Sequence, residues 1–164
     1  MTEFADSDRP DDIPHTFTHA ALYLDGEGAA TKAQAARFQH VRWITISGNY
    51  EHAGIVDYER GNPVYEQHGL RKYVTGRTRM GKRARIYTDR ADIGRAQDEL
   101  AGLSDPRLWW IATLDEKHWT PELLAANCRQ QFGVSISARL IWANQYGKAG
   151  PGAHYDTSRL FREW

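Results

Sequence analysis

The sequence lacks the features that mark several common classes of protein. It contains one cysteine, Cys128, so no disulfide can form within the chain and folding needs no oxidising compartment. No apolar run approaches the roughly 18 residues of a membrane-spanning helix. The acidic segment 1–14 lacks the apolar core of a signal peptide. We therefore expect a protein that is made in the cytoplasm and does not enter a membrane.

The chain also lacks an excess of either charge and any recognisable cofactor motif. The 21 basic residues balance the 21 acidic ones, whereas proteins dedicated to nucleic acid are usually basic. The seven histidines include no i, i+4 pair around a glutamate, and no phosphate loop or dinucleotide fingerprint occurs. We expect neither a metal nor an organic cofactor, consider nucleic acid an improbable partner, and leave neutral substrates such as glycans open.

One local exception to this balance is a basic run that contains no acid. It comprises Arg71, Lys72, Arg77, Arg79, Lys82, Arg83 and Arg85. Such runs are more often a solvated helix face than a binding surface. Contact with phosphates or with an anionic polymer is the alternative interpretation.

What the chain does contain is an alternation of strand-like and helix-like segments. Strands are predicted over residues 20–24, 41–46, 53–58, 84–88, 108–114 and 139–143, and helices over 31–38, 61–73, 92–100 and 120–132. Several of these strands are apolar on both faces, which is typical of buried parallel strands. The order predicts an α/β fold, with a single domain over residues 19–164 that follows a flexible arm over residues 1–18.

Acidic residues concentrate at the ends of the predicted strands. Asp25, Asp57, Glu59, Asp89 and Asp115 lie at or just beyond the carboxyl end of a strand, and Asp156 ends a short final segment. In parallel α/β folds this rim is where active sites form. Any one of these acids could equally be a helix cap or a turn residue, but several on one rim favour a site.

The sharpest of these elements is Asp57-x-Glu59. Residues i and i+2 of a strand point to the same face, with Cα atoms about 6.6 Å apart, so two carboxylates face one space. Glycoside cleavage uses such a pair, and crowding drives their pKa values apart. Asp25-x-Glu27 has the same spacing and is a rival pair.

Aromatic residues accompany the acids, and some are candidates for stacking on a ligand. These residues are Tyr23, Tyr58, Tyr87, Trp110, Trp142 and Tyr146, with Gln145 between the last two. The late segment containing Trp142, Gln145 and Tyr146 could stack on a sugar ring and hydrogen-bond to it. The alternative for Trp142 is a core position.

Together these motifs resemble glycoside hydrolase family 25, the barrel muramidases of phages and bacteria. The likeness is greater to a shorter actinobacterial and actinophage group of related barrels. That pattern has an Asp at the end of the first strand, a D-x-E on a middle strand, and a late W-Q-Y segment before a final Asp. The matching segments are 23–25, 56–59, 142–146 with two extra residues, and 155–158.

The resemblance implies a TIM-type barrel with mostly parallel strands and a role for each site residue. Glu59 would be the general acid, and Asp57 would stabilise the developing positive charge or position an acetamido group. The remaining candidates for substrate binding are Asp25, Tyr23, Tyr87, Asp115, Trp142, Gln145, Tyr146 and Asp156. The barrel is expected to be abbreviated or distorted, because such folds usually need about 200 residues or more and the 47–52 connection is too short for a helical crossover.

Two functional hypotheses follow from the sequence. The first is a cofactor-independent hydrolase that acts on peptidoglycan, a cell-wall glycan. The second is a non-catalytic carbohydrate-binding or phage virion-associated protein that keeps the barrel, with other virion proteins as partners. Either association with a virion or release to the cell wall would bring a protein made without a signal peptide to such a substrate.

Overall fold

The chain folds into a closed barrel of eight strands in chain order. The structure is a computed structural model that describes residues 2–104, 107–148 and 154–164. The strands are β1 (Glu3–Ser7), β2 (His19–Tyr23), β3 (His40–Thr45), β4 (Ile55–Asp57), β5 (Ala84–Asp89), β6 (Arg107–Ala112), β7 (Ile141–Lys148) and β8 (Asp156–Leu160).

The barrel is mixed, because its last strand runs against its neighbours. Consecutive strands from β1 to β7 pair in parallel. The last strand, β8, pairs antiparallel with both β7 and β1. Only residues 149–155 separate β7 from β8, whereas a parallel return needs a dozen or more residues. The short connection therefore dictates the reversed direction of the closing strand.

Helices connect most of the parallel strands. They are α1 (Lys32–Ala35), α2 (Pro63–Glu66), α3 (Leu70–Arg79), α4 (Ile93–Glu99) and α5 (Pro121–Phe132). The predicted start of α1 is confirmed by a capping box between Thr31 and Gln34. Thr120 caps α5, which ends at Gly133 in the left-handed conformation. Within the described chain, no helix is both long enough and apolar enough to span a membrane.

The predicted helix over 61–73 is interrupted, and the connection from β3 to β4 has no helix. His68 has a φ of 53° between α2 and α3, a value that an α-helix does not accommodate. Residues 46–54 join β3 to β4 as turns and extended chain, in line with the short connection predicted there. The barrel is thus abbreviated in its helices, while all eight strands are present.

The prediction of a flexible arm over residues 1–18 is wrong for its first half, because Glu3–Ser7 is a barrel strand. Phe4 packs inside the barrel against the rings of Trp110 and Trp142. The acidic composition of this segment concealed the strand, since Asp6 is an inward-facing acid with 7% exposure. The domain therefore starts at β1 and not at residue 19.

The barrel interior divides into layers along its axis. Its middle is an apolar cluster that includes Phe4, Ile44, Ile55, Trp110 and Trp142. Because alternate residues of a strand point the same way, the residues that flank this cluster on the same strands also face inward. The carboxyl ends of the parallel strands contribute acids and tyrosines, and the amino ends contribute arginines.

Candidate functional site: an acid cluster at the carboxyl end of the barrel

Asp57 is the deepest of the predicted catalytic residues. It is the last residue of β4 and only 3% exposed. The hydroxyl of Tyr23, at the end of β2, donates a hydrogen bond of 2.9 Å to Asp57 Oδ2. The other oxygen, Oδ1, is buried and has no hydrogen-bond partner. A buried acceptor without a donor is uncommon in folded proteins and calls for a functional explanation.

Glu59 shares a cavity with Asp57. The strand ends at Asp57, so Glu59 lies in the loop just beyond it and is partly exposed. Both carboxyl groups line a cavity of about 230 Å³, to which Tyr23, Arg60 and Asn62 also contribute. The sequence expectation that the D-x-E pair faces one space therefore agrees with the structure, although a loop and not the strand carries Glu59.

A third acid, Asp6, joins the site from β1. Its Oδ2 accepts a hydrogen bond of 3.1 Å from Gln145 Nε2, and its Oδ1 is another buried oxygen without a partner. Sequence analysis missed Asp6 because residues 1–18 were assigned to a flexible arm. The available signal was the F-A-D-S segment, in which Phe4 and Asp6 alternate on one face as strand residues do.

Gln145 links the acids to the tyrosines. Its side-chain amide donates to Asp6 and also to Asp156 Oδ2 at 2.8 Å. Its carbonyl oxygen accepts a hydrogen bond of 2.5 Å from the Tyr87 hydroxyl. Gln145 is 1% exposed and therefore positions other side chains from below the opening of the barrel. The four residues Asp6, Asp57, Glu59 and Asp156 are called the acid cluster below.

Burial and mutual repulsion raise the pKa values of this cluster. Burial raises the pKa of Asp57 to about 8, with a further contribution from the charge of Glu59. Burial, with the charges of Asp89, Asp92 and Asp156, raises the pKa of Glu59 to about 6. The pKa of Asp6 lies well above its ordinary value for the same two reasons. The cluster therefore retains protons near neutral pH, which isolated carboxyl groups would not.

The other predicted acids of the rim have structural partners. Asp25 follows β2 and lines the edge of the same cavity. Its carboxylate accepts hydrogen bonds from the Thr45 and Ser47 hydroxyls, each at 2.5 Å, and from the Ile46 amide at 2.8 Å. It therefore fixes the turn after β3. Because β2 is the second strand, the first-strand acid of the barrel is Asp6, and the alignment of Asp25 with that position is wrong.

Asp115 lies apart from the cavity. It accepts hydrogen bonds from Trp119 Nε1 at 3.0 and 3.2 Å and lies 3.7 Å from Arg90 Nη1. Burial alone would raise its pKa, but the hydrogen bonds from Trp119, Thr113 and Lys117 and the charge of Arg90 lower it. Asp115 therefore has structural partners in the loop after β6 and does not line the cavity of Asp57 and Glu59; its role in substrate binding stays a prediction.

The aromatic candidates divide between the site, the core and the outer surface. Tyr23 and Tyr87 belong to the site, since each hydrogen-bonds a member of the network. Trp142 is fully buried and donates to the Glu163 carbonyl, so the prediction that it stacks on a ligand is wrong. Tyr146 points away from the interior and donates to Glu3 Oε1 at 2.8 Å, because neighbouring residues of a strand face opposite sides.

The residues of this site fit proton-transfer chemistry. In the described ranges, no three His, Cys, Asp or Glu side chains form a group that could hold a metal ion. The acids are instead paired with hydroxyl and amide donors and have raised pKa values. Such an arrangement can supply a proton and stabilise developing positive charge.

Comparisons with known proteins leave the family of the chain open. No protein-family model matches it, and no curated protein is similar to it. A crystal structure of an uncharacterized B. stearothermophilus protein aligns over 99% of this chain and 97% of that chain, with 13% identity and a TM-score of 0.47.

Proposed function

We propose that this protein is a glycoside hydrolase that acts on a cell-wall glycan, with peptidoglycan as its substrate. One observation carries the proposal: Asp57 and Glu59 line a single cavity at the carboxyl ends of parallel barrel strands. This is the end at which barrel enzymes carry their active sites. A pair of carboxyl groups is the minimum that glycoside cleavage requires.

Glu59 is the general acid in this proposal. It is the more accessible of the pair, and its pKa of about 6 leaves part of it protonated near neutral pH. It would give its proton to the leaving glycosidic oxygen as the bond from that oxygen to the anomeric carbon breaks. The resulting Glu59 carboxylate would then accept a proton from the attacking water.

Asp57 takes the supporting role, below Glu59. With a pKa of about 8, it is protonated in the ligand-free protein near neutral pH. A neutral carboxyl group held by Tyr23 can position an acetamido group through a hydrogen bond. The family resemblance implies two possible roles for Asp57. Its neutral state favours positioning of the acetamido group over direct stabilisation of the developing positive charge.

The remaining acids support the resemblance to family 25 and to a TIM-type barrel. The family pattern places an Asp on the first strand, a D-x-E in the middle and a final Asp on the last strand. Asp6 on β1, the Asp57 pair on β4 and Asp156 on β8 follow this order. Gln145 connects the first and last of them.

The test is release of reducing sugar from purified actinobacterial peptidoglycan. Wild-type protein is compared with Glu59→Gln, and with Glu122→Gln as a control that removes an exposed carboxylate that does not line the cavity. We expect release by wild type and Glu122→Gln and a loss of about 100-fold or more for Glu59→Gln. Full activity in a folded Glu59→Gln variant would remove Glu59 from the mechanism.

A second candidate function is glycan binding without cleavage, either alone or as part of a virion. One observation favours it: the cavity volume of about 230 Å³ lies below the roughly 300 Å³ at which ligand pockets usually begin. Co-sedimentation with insoluble peptidoglycan separates the two hypotheses. Binding without sugar release, in protein shown to be folded by circular dichroism, would favour this alternative.

A further inference from the structure

A second polar cavity lies at the opposite end of the barrel from the acid cluster. It has a volume of about 450 Å³ and opens between the amino ends of β3, β4 and β5 and helix α3. Its basic lining residues are Arg42, Arg77, Lys82, Arg83 and Arg85. We call these five residues the arginine cluster.

Buried Nε atoms of this cluster lack hydrogen-bond acceptors. Arg77 is 7% exposed and donates one hydrogen bond, of 3.2 Å, to the Tyr50 carbonyl. The Nε atoms of Arg42, Arg77 and Arg85 are all buried without a hydrogen-bond partner. A buried donor without an acceptor is costly, so three of them in one place point to an acceptor that the described residues do not supply.

Comparison with other arginines of the chain sharpens this point. Arg37 and Arg159 also have a buried Nε without a partner, but each lies within 4.0 Å of a carboxylate, Asp11 and Glu3 respectively. Among the residues that the structure describes, Arg42, Arg77 and Arg85 have no carboxylate at that distance. Their charges are therefore not neutralised within the described chain.

One acid does line this cavity, and it does not neutralise the cluster. Glu51 is exposed, and its carboxylate lies 3.9 Å from His52 Nε2. Burial lowers the pKa of Arg85 to about 10, and the charges of Arg42, Arg77 and Arg83 contribute to this shift. The cluster is a set of like charges held together against their mutual repulsion.

Aromatic rings hold two of these guanidinium groups in place. The guanidinium carbon of Arg85 lies 4.9 Å from the centre of the Trp142 ring, and that of Arg42 lies 5.6 Å from the Trp164 ring. Contact of this kind orients a guanidinium plane and leaves its charge intact. The guanidinium groups of Arg42 and Arg85 are thus oriented before any ligand arrives.

We propose that the arginine cluster binds a dianionic phosphate group, either inorganic phosphate or a phosphate monoester. Guanidinium groups match phosphate oxygens in pairs, through two parallel N–H···O hydrogen bonds. Arg42, Arg77 and Arg85 supply the internal donors, and the exposed Lys82 and Arg83 add charge at the opening. This proposal is independent of the hydrolase function.

The arginine cluster contains only some of the residues of the basic run in the sequence. Arg77, Lys82, Arg83 and Arg85 line the phosphate cavity, whereas Arg71, Lys72 and Arg79 line a different cavity on the other side of α3. A polyanion spread over the surface would use both sets. An enclosed phosphate group would use only the first, and this gives the test its control.

The test is calorimetric titration of the full chain with inorganic phosphate at about 0.15 M sodium chloride, a concentration that screens exposed charges. Arg85→Gln removes a cluster charge, and Arg79→Gln removes an exposed charge nearby. We expect affinity to fall about tenfold or more in Arg85→Gln and less than about twofold in Arg79→Gln. Arg42→Gln serves as the second cluster variant if Arg85→Gln does not fold.

Thermal unfolding supplies a readout that a structural role would not produce. Phosphate should raise the melting temperature of wild type and leave that of Arg85→Gln unchanged. Without phosphate, Arg85→Gln should melt at or above the wild-type temperature, because the substitution relieves repulsion. A large drop in that temperature, together with unchanged phosphate affinity in Arg42→Gln, would overturn the proposal.

Three further probes identify the source of the phosphate. Tighter binding of phenyl phosphate than of inorganic phosphate would indicate a monoester ligand, and the reverse would indicate inorganic phosphate. Dimethyl phosphate, a monoanion, should bind at least about tenfold more weakly than either. Three results would overturn the proposal. The diester could bind as tightly as the other two phosphates, or no phosphate could give a heat of binding. The protein could also prefer a single-stranded DNA oligonucleotide, with equal losses of affinity in both variants.

Discussion

The two ends of the barrel interior carry ionisable groups of opposite type. At the carboxyl ends of the parallel strands, Asp6, Asp57 and Glu59 crowd together, and their pKa values are raised. At the amino ends, Arg42 and Arg85 face each other, and their pKa values are lowered by burial and by the charges of neighbouring arginines. A net charge of zero thus conceals a segregation of acidic and basic residues along the barrel axis.

The comparison shows how a single strand serves both ends. On β5, Arg85 lines the arginine cluster and Tyr87, two residues later, hydrogen-bonds the amide of the acid end. The period of two in a strand keeps both side chains inside the barrel. The two ends differ in how they meet the cost of burial: the acids can hold protons, whereas arginines keep their charge and need an anion.

The strongest way to disturb this arrangement is to remove the layer that separates the two ends. Trp110 is fully buried at the centre of the interior cluster. We expect Trp110→Ala to lower the free energy of unfolding by about 3–5 kcal/mol, because it leaves a large cavity. Urea denaturation measures the change. Trp43→Ala, outside the interior cluster and partly exposed, should cost clearly less, and equal losses would contradict a central separating layer.

The acid end can be tested through the pH dependence of stability. The pKa of Asp57 is about 8 in the folded protein and about 3.9 in an unfolded chain. Between these values the folded state binds more protons, so wild-type stability should fall as pH rises from about 4 to about 8. In wild type, Asp57 should lower the free energy of unfolding by on the order of 2–4 kcal/mol between pH 5 and pH 8. We expect Asp57→Asn to abolish this decrease, as measured by urea denaturation at the two pH values.

Asp115 provides the control of opposite sign for this experiment. Its pKa is lowered in the folded protein, so its ionised form stabilises the fold above its unfolded pKa, and this contribution is lost on acidification. Asp115→Asn should therefore reduce stability at neutral pH. An Asp57→Asn variant that keeps the wild-type pH dependence would show that Asp57 is not the proton-holding group.

The hydrogen-bond network at the acid end offers a smaller effect. Gln145→Leu removes the amide donor that Asp6 and Asp156 share and the acceptor of the Tyr87 hydroxyl. We expect a loss of about 1–3 kcal/mol in unfolding free energy, because buried polar groups lose a partner. Gln97→Leu, which loses one exposed hydrogen bond to the Ser135 carbonyl, should change little. Similar losses in both variants would argue against a buried network.

The smallest effect is expected on the outer face of β7. Tyr146→Phe removes one exposed hydrogen bond to Glu3, which should cost about 0.5 kcal/mol. Sugar release, if wild type shows it, should keep the same KM. A large rise in KM would restore Tyr146 to the substrate-binding residues and contradict its orientation in the structure.

Much of the helix and strand pattern could be predicted from local sequence signals, and the errors have identifiable causes. Five of the six predicted strands match strands of the barrel: one contains the whole of β4, and the others contain all but one end residue of β2, β3, β5 and β6. Runs of β-branched and aromatic residues bounded by turn residues are strong signals. The first and last strands were not predicted as such, since their polar residues face the barrel interior and break the apolar pattern.

The sequence by itself determined the alternation of strands and helices and the pairing of Asp57 with Glu59 in one space. Both follow from local chain geometry, which depends only on neighbouring residues. Tertiary structure alone decided that Asp6 and not Asp25 is the first-strand acid, that Trp142 is core, and that Arg42 meets Arg77 and Arg85. Asp6 and Trp142 lie far apart in the chain, as do Arg42 and Arg85, and closure of the barrel brings these inward-facing residues together. Helix α3 adds Arg77 to the arginine cluster. That closure depends on long-range pairing, which local periodicity does not encode.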